Sequence, residues 1–368
     1  MEKEVLLNAY RLMCTAAAMA KIYEANRSVC RYVHSTSRGH EAIQLATAFQ
    51  LLPHDYVSPY YRDESLLLGL GFSPYTLMLQ LLAKGDDIFT AGREYYAHPN
   101  YRGNDKPTII HQSSATGMQA IPATGIAQGL QYLQKKNSPL YKKGPNNENP
   151  VVLCSLGDAS LTEGEVSEAL QVAVLKKLPI IYLVQDNDWG ISVTSGEARA
   201  MNAAEFAKGF KGLQHLSIDG SDFIESYEAM KKVISKVRVN QEPYLVHAKV
   251  PLLNHHTSGV RKEFYRSEED LEKHLKEDPF PKLKKRLLQL GFEEKDLDEI
   301  QGIVSDAVAG QFRSAGSAPE PDPSTIEDYI FTPTKITEEK GERTPVGKEK
   351  IMMVDAALFA IREILEDF

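Results

Sequence analysis

The sequence predicts an α/β fold: a mostly parallel sheet with helices on both faces and a helical N-terminal extension. Two patterns carry this prediction. Four short apolar runs, PVVLCSLG (150–157), PIIYLVQD (179–186), HLSIDG (215–220) and PYLVHAKV (243–250), read as strands. Between them lie helical stretches. LTEGEVSEALQVAVLKK (161–177) puts Val166, Ala169, Leu170, Ala173 and Val174 on one face, and ESYEAMKKVISKVRVN (225–240) separates the last two runs. Apolar strands alternating with helices are buried on both faces, which is the pattern of a parallel sheet.

The remaining elements follow in chain order. Residues 1–50 read as helices: Val5, Leu6, Tyr10 and Met13 keep helical spacing, and Glu41-Ala42-Ile43-Gln44-Leu45-Ala46 begins a second helix. The N-terminal apolar residues are interrupted by Glu4, Asn8 and Arg11, as in a packed helix and not a signal peptide. Residues 64–84 are leucine-rich and helical, broken by Gly69, Gly71 and Pro74. From 85 to 118 the chain is rich in Gly, His, Tyr and Asn without periodicity, which marks a functional or mobile loop. Residues 267–312 read as charged helices. SAGSAPEPDPST (314–325) and ITEEKGERTPVGKEK (336–350) read as linker. In the last stretch Ile351, Val354, Leu358, Ile361 and Leu365 form one helical stripe. The expected divisions are therefore 1–312, a linker over 313–350, and a helix over 351–368.

Composition narrows the function. Of 368 residues, 42% are hydrophobic and 25% charged, which excludes a disordered or disulfide-stapled chain. A net charge of −8 argues against a nucleic-acid binder. No apolar run reaches the roughly 20 residues that span a bilayer. The three cysteines, Cys14, Cys30 and Cys154, are odd in number and widely spaced, so a reducing, cytoplasmic setting is expected.

Ligands of open parallel sheets bind beyond the carboxyl ends of the strands. There the sequence places Gly157-Asp158-Ala159-Ser160, Asp186-Asn187-Asp188-Trp189-Gly190 and His255-His256-Thr257-Ser258. Asp158 and Asn187 are hard oxygen donors of the kind that hold Mg²⁺ beside a phosphate. A helix beginning near Leu161 would aim its N-terminal amides at the same place. The alternative is that Asp158 and Ser160 cap a helix while Asn187 sits in a turn. Two adjacent histidines offer proton donation or oxyanion binding near neutral pH, against a purely structural role. Arg62, after Tyr60-Tyr61, has the chemistry of a bidentate phosphate clamp, but alone it reads as a surface arginine paired with Asp63 or Glu64.

LGDAS, an amphipathic helix, an apolar strand and DNDWGIS together resemble the thiamine-diphosphate motif, a G-D-G followed some thirty residues later by N-N. GHEAIQLA (39–46), YYRDESLLLGLG (60–71), GREYYAH (92–98), SSATGMQAIPATG (113–125), IDGSD (218–222), HHTS (255–258) and EFYRSEEDL (263–271) surround it in order. Over residues 5–310 the chain resembles the alpha chain of the thiamine-diphosphate-dependent 2-oxo acid dehydrogenase component, branched-chain type. That resemblance implies the thiamine-diphosphate-binding fold. It implies oxidative decarboxylation of a 2-oxo acid, with a branched-chain acid favoured and pyruvate next. The acyl group would pass to a lipoyl group on the dihydrolipoyl acyltransferase.

The resemblance also assigns residues. Asp158, Asn187 and the main-chain carbonyl of Trp189 match Mg²⁺ ligands. Tyr61 and Arg62 match a pair contacting the cofactor and its diphosphate. Ser114 and Thr116 match positions near its aminopyrimidine ring, and Gly157, Ala159 and Ser160 match the turn around the diphosphate. His256 matches the active-site histidine, and His98 falls in the loop lining the substrate side. Thr116 stands where a hydrophobic prop under the thiazolium is usual, with Met118 as a substitute. Pro251-Leu252 replaces the Tyr-Arg that often precedes the paired histidines. Asp186 replaces the first Asn of N-N, and Asp188 replaces a usual Gly; both bring acids near the metal.

The glutamate that activates the cofactor belongs to the beta chain in this family. The chain is therefore expected to form half an active site, in a dimer or heterotetramer. GKEKIMMVDAALFAIREILEDF (347–368) resembles the start of a beta chain, so a fused beta domain is one expectation and a docked terminal helix the other. An acetoin dehydrogenase alpha chain, a transketolase-like half and a non-catalytic scaffold keeping the fold are the competing readings.

Overall fold

The computed structural model describes residues 2–111, 115–328, 330 and 349–367. A compact unit runs from Met1 to Pro323, and a second, smaller one from Ser324 to Phe368.

The first unit begins with α1 (Lys3–Ala25), whose Leu6, Tyr10, Met13, Met19 and Tyr23 recur at helical spacing and are buried. Then come α2 (Glu41–Ala48), β1 (Tyr56–Ser58), α3 (Glu64–Gly69), α4 (Pro74–Leu81) and β2 (Thr108–Ile109). The central part contains α5 (Ala120–Lys135), β3 (Val152–Gly157), α6 (Gly164–Lys176) and β4 (Ile180–Asp186). After it follow β5 (Trp189–Gly190), β6 (Val193–Thr194), α7 (Ser195–Ala198), α8 (Ala203–Ala207), β7 (Gln214–Asp219), α9 (Phe223–Asn240) and β8 (Tyr244–Lys249). Three helices close the unit: α10 (Glu268–Lys276), α11 (Pro279–Gln289) and α12 (Glu294–Gly316).

Six strands form one sheet in the order β2-β1-β3-β4-β8-β7. Every neighbouring pair is parallel. All residues of β3 and β4 are buried, so this is the predicted sheet, covered on both faces. Leu153, Ile181, Leu183 and Val246 face a core shared with α4, α9 and α12. Val152, Cys154, Tyr182 and Val184 face α5 and α6.

The expected boundary at 312 lies inside α12, which continues to Gly316. The next residues dock on the first unit: Gly85 N donates to the Pro319 carbonyl at 2.8 Å, and Lys84 pairs with Glu320 at 2.6 Å. The expected linker therefore starts with the end of a helix and a packed segment, and most of its remainder lies outside the described residues. In the second unit α13 (Met353–Asp367) is helical as predicted, with Val354, Leu358, Ile361 and Leu365 exposed.

Two features of the sheet place the site. The chain leaves β1 toward β2 on one side, and leaves β3 toward β4 on the other, so the topology switches between β1 and β3. Crevices at such switch points receive ligands. Gly157 stands level with Gln185 across the β3–β4 pair, which places Asp158 beside Asp186 just beyond.

Candidate functional site

Arg62 follows β1 into this crevice. The residue is fully buried, against the surface ion pair expected from its neighbours. Its guanidinium donates to the His256 carbonyl at 2.9 Å, the Thr36 carbonyl at 3.4 Å and the Tyr60 hydroxyl at 3.4 Å. It lies over the Tyr61 ring, 5.4 Å from the centroid. Asp63 turns away from it to accept the Tyr60 N–H at 2.9 Å and the Gln185 amide at 2.7 Å. Glu64 accepts from the Tyr96 hydroxyl. No carboxylate among the described residues pairs with the Arg62 guanidinium. A buried cation held only by neutral oxygens carries an unmet desolvation cost, which an anionic ligand offsets.

Across the crevice β3 ends at Gly157, where an added Cβ would lie 3.0 Å from the Tyr60 hydroxyl. The helix expected from Leu161 is instead a 3₁₀ turn, Ala159–Thr162, followed by α6 from Gly164. Ser160 is fully buried inside this turn, and its hydroxyl has no hydrogen-bond partner. An orphaned buried hydroxyl is rare and points to a missing partner. Ala159 packs toward Gly190, where a Cβ would approach it to 3.2 Å. Thr116 is exposed in a turn beside Ser160: a Cβ on Gly117, which has a φ of +86°, would lie 3.3 Å from the Ser160 carbonyl. Met118 is also partly exposed, at 43%. Ser114 lies outside the described residues.

Asp158 and Asp186 are neighbours with one shared cation. Arg199, just past α7, pairs with Asp158 at 2.9 Å and with Asp186 at 2.8 Å. His247 also meets Asp186, at 2.8 Å. Burial and the Asp186 charge push the Asp158 carboxyl well up. For Asp186, burial acts in the same direction but is outweighed by the His247 hydrogen bond and Arg199, which hold it down. One proton of the pair therefore resides on Asp158 more readily than on Asp186.

The two departures from the family motif resolve differently. Asp186 is held within the protein by the Arg199 cation and by a hydrogen bond with His247. Asp188 faces away, accepting from the Ser195 hydroxyl at 3.0 Å with Lys273 at 3.9 Å. Its φ of +66° is the backbone conformation that favours glycine, the residue usual at this position. Asn187 accepts the Trp189 N–H at 3.1 Å. The Trp189 ring is clamped between Arg266, 5.4 Å from its centroid, and Tyr265.

Only one of the paired histidines joins the cluster. His256 Nδ1 accepts the Ile191 N–H at 3.2 Å, so Nε2 bears the proton and donates to the Tyr61 hydroxyl at 3.1 Å. Burial, reinforced by Arg62, pushes its pKa down to about 2, so the ring is neutral. His255 points elsewhere, 3.8 Å from both Glu24 and Glu263. His98 is buried with its Nδ1 on the Tyr96 carbonyl at 3.0 Å and its ring edge-on to Tyr95. Both of these contacts are with tyrosines of its own loop.

The structure thus brings together Tyr61, Arg62, Gly157, Asp158, Ala159, Ser160, Asn187, Trp189 and His256. Sequence reading missed Arg199 and the buried groups behind Asn187. Arg199 reaches the site only because the β5–β6 hairpin folds back, and nothing in its local sequence signals that.

A family model described as dehydrogenase E1 component matches residues 10–324. The 2-oxoisovalerate dehydrogenase subunit alpha of Bacillus subtilis (strain 168) is 29% identical over 333 residues, covering 88% of this chain and 94% of that protein. The pyruvate dehydrogenase E1 component subunit alpha of Porphyra purpurea is 29% identical over 296 residues, covering 80% and 82%. The 3-methyl-2-oxobutanoate dehydrogenase subunit alpha of Mycobacterium tuberculosis (strain CDC 1551 / Oshkosh) is 28% identical over 302 residues, covering 82% and 74%.

Proposed function

This chain belongs to the dehydrogenase E1 component family, and from that premise we propose that it is the alpha chain of a branched-chain-type 2-oxo acid dehydrogenase component. The reaction is oxidative decarboxylation of a 2-oxo acid with transfer of the acyl group to a lipoyl group, and the family depends on thiamine diphosphate. The observation that carries the reading is the fully buried Arg62 after β1, held by neutral oxygens, together with the orphaned Ser160 hydroxyl in the turn after the neighbouring strand β3. Both features fit a diphosphate.

The donor set also fits a hard divalent cation. Asp158, Asn187 and the Trp189 carbonyl are oxygen donors. Asp158 and Asn187 keep acceptor capacity beyond the bonds they make, because a carboxylate has about four lone-pair sites and an amide carbonyl two. Among the described residues no group of three His, Cys, Asp or Glu side chains suits a metal. Mg²⁺ takes one or two carboxylates and shares its shell with waters and a substrate phosphate.

In this reading thiamine diphosphate, once bound, supplies the carbanion chemistry that breaks the bond beside the 2-oxo carbon. The chain's own residues bind and orient. Arg62 holds phosphate oxygens with fixed guanidinium geometry. His256, neutral and tied to Tyr61 and the Ile191 N–H, keeps its Nε2 proton directed at the hydroxyl face of the site. Arg199 balances the acid that stands where the family motif has asparagine. A beta chain, or a beta domain fused after α13, completes the site, giving a dimer or heterotetramer that meets the acyltransferase's lipoyl domain. A reducing cytoplasmic setting is part of the proposal; all three cysteines are free.

The similarity to a pyruvate dehydrogenase alpha subunit supports pyruvate as the second substrate reading. A dye-linked assay of the chain with its beta partner decides among 3-methyl-2-oxobutanoate, pyruvate and acetoin. The highest kcat/KM is expected with 3-methyl-2-oxobutanoate. A preference for acetoin, or no turnover of either oxo acid, would overturn the proposal.

A further inference from the structure

Behind Asn187 lies a buried chain of hydrogen bonds whose every donor and acceptor is determined. The Leu66 backbone N–H donates to Gln44 Oε1 at 3.2 Å. A backbone N–H is only a donor, so the Gln44 amide nitrogen must face the other way. It donates to Gln185 Oε1 at 2.8 Å. Gln185 Nε2 is committed independently, to Asp63 Oδ1 at 2.7 Å and to the Ser155 hydroxyl at 2.9 Å. Asp63 is itself held by the Tyr60 backbone N–H at 2.9 Å. Both ends of Gln185 are therefore fixed by groups that leave no alternative orientation.

His40 reads this arrangement. Its Nδ1 lies 2.9 Å from Gln185 Oε1, an oxygen that can only accept, so Nδ1 carries a proton. His40 is fully buried, and Nε2, the acceptor of the neutral ring, lies 3.2 Å from Asn187 Nδ2. An acceptor nitrogen at that distance admits the amide NH₂ and repels the amide oxygen. With Nδ2 turned to His40, Asn187 Oδ1 is directed to the opposite side, where it accepts the Trp189 N–H.

We propose that His40 is a positioning residue for the metal site: the tautomer imposed by Gln185 makes it accept from Asn187 Nδ2, which orients the Asn187 carbonyl oxygen as a metal ligand. This rests on the reading of Asn187 as a ligand. Outer-shell groups of this kind orient metal ligands, and their loss costs roughly 10–100-fold in metal affinity.

Two polar replacements separate the halves of the imidazole. His40→Asn keeps a donor at the level of Nδ1 but does not reach Asn187. His40→Gln extends its amide to the level of Nε2 and restores an acceptor there. The readout is Mn²⁺ binding to the full chain together with its beta partner and thiamine diphosphate, followed by electron paramagnetic resonance, with Asn187→Ala as control. The expected result is a loss of roughly tenfold in Mn²⁺ affinity for His40→Asn. His40→Gln should stay close to wild type, and Asn187→Ala should be weak. Wild-type affinity in His40→Asn, with Asn187→Ala weak, overturns the positioning role alone. Equal losses in both His40 variants also overturn it, because a structural role would not be rescued by Gln. An unchanged Asn187→Ala overturns the ligand reading itself. Should His40→Asn fail to fold, a tenfold loss in His40→Gln overturns the proposal.

Discussion

Arg62 was visible in the sequence as a residue but not as a buried one. Burial depends on Thr36 and His256, which come from elsewhere in the chain. Local context offered Asp63 and Glu64 as partners, and the fold takes both away. Glu64 has a measurable consequence. It is fully buried, its Oε1 has no partner, and burial pushes its pKa from 4.5 to about 8 despite the Tyr96 hydroxyl. Between those values the folded chain holds a proton that the unfolded chain has released. Stability contributed by this group therefore falls as pH rises from about 4.5 toward 8. Urea denaturation of wild type and Glu64→Gln at pH 6 and pH 8.5 should show the wild type losing more stability than the variant. Equal losses in the two proteins would contradict this account of Glu64.

At the scale of elements, the long buried strands and amphipathic helices were legible because periodicity needs length. β1 and β2 have 3 and 2 residues, too few for any pattern, although β1 is half of the switch point. The 3₁₀ turn at Ala159–Thr162 escaped for the same reason: helical spacing ran on into it. What anchors the short β1 is Asp55, immediately before it. Arg238 of α9 grips both Asp55 oxygens at 2.7 Å, and Asp55 also accepts the Leu52 and Val151 N–H groups. One buried carboxylate thus ties the start of β1 to β3 and α9, at the end of the sheet away from the ligand crevice. Removing one partner of a buried ion pair typically costs about 3–5 kcal/mol. Asp55→Ala should lose stability of that order in chemical denaturation. A loss below about 1 kcal/mol, the range of an exposed pair, would show that the pair does not anchor the strand.

At the scale of the whole molecule, strand and helix periodicity carried the fold class, and the ordered motifs carried the family. Composition could not show where an acidic chain would hold the proposed anion, because that reading depends on one buried arginine after β1 and one orphaned hydroxyl in the turn after β3. Nor was the end of the first unit legible: α12 passes through the expected boundary, and Pro319 and Glu320 pack behind it. The residues gathered at the crevice fit the diphosphate and the metal. The glutamate that the family resemblance places on the beta chain is not supplied by that set. The purified chain, without a beta partner, should not decarboxylate 3-methyl-2-oxobutanoate in a dye-linked assay, and adding the partner should produce turnover. Substantial turnover by the chain alone would show that it contains a complete site.

The central claim is that the β1–β3 crevice holds thiamine diphosphate through Arg62 and a divalent cation through Asp158. Isothermal titration of thiamine diphosphate with Mg²⁺ into the chain and its beta partner tests it most directly. The account predicts saturable binding that is lost in Asp158→Ala and weakened tenfold or more in Arg62→Met. Absence of binding to the wild type, or binding that Asp158→Ala leaves unchanged, would contradict it and favour a scaffold that kept the fold without the cofactor.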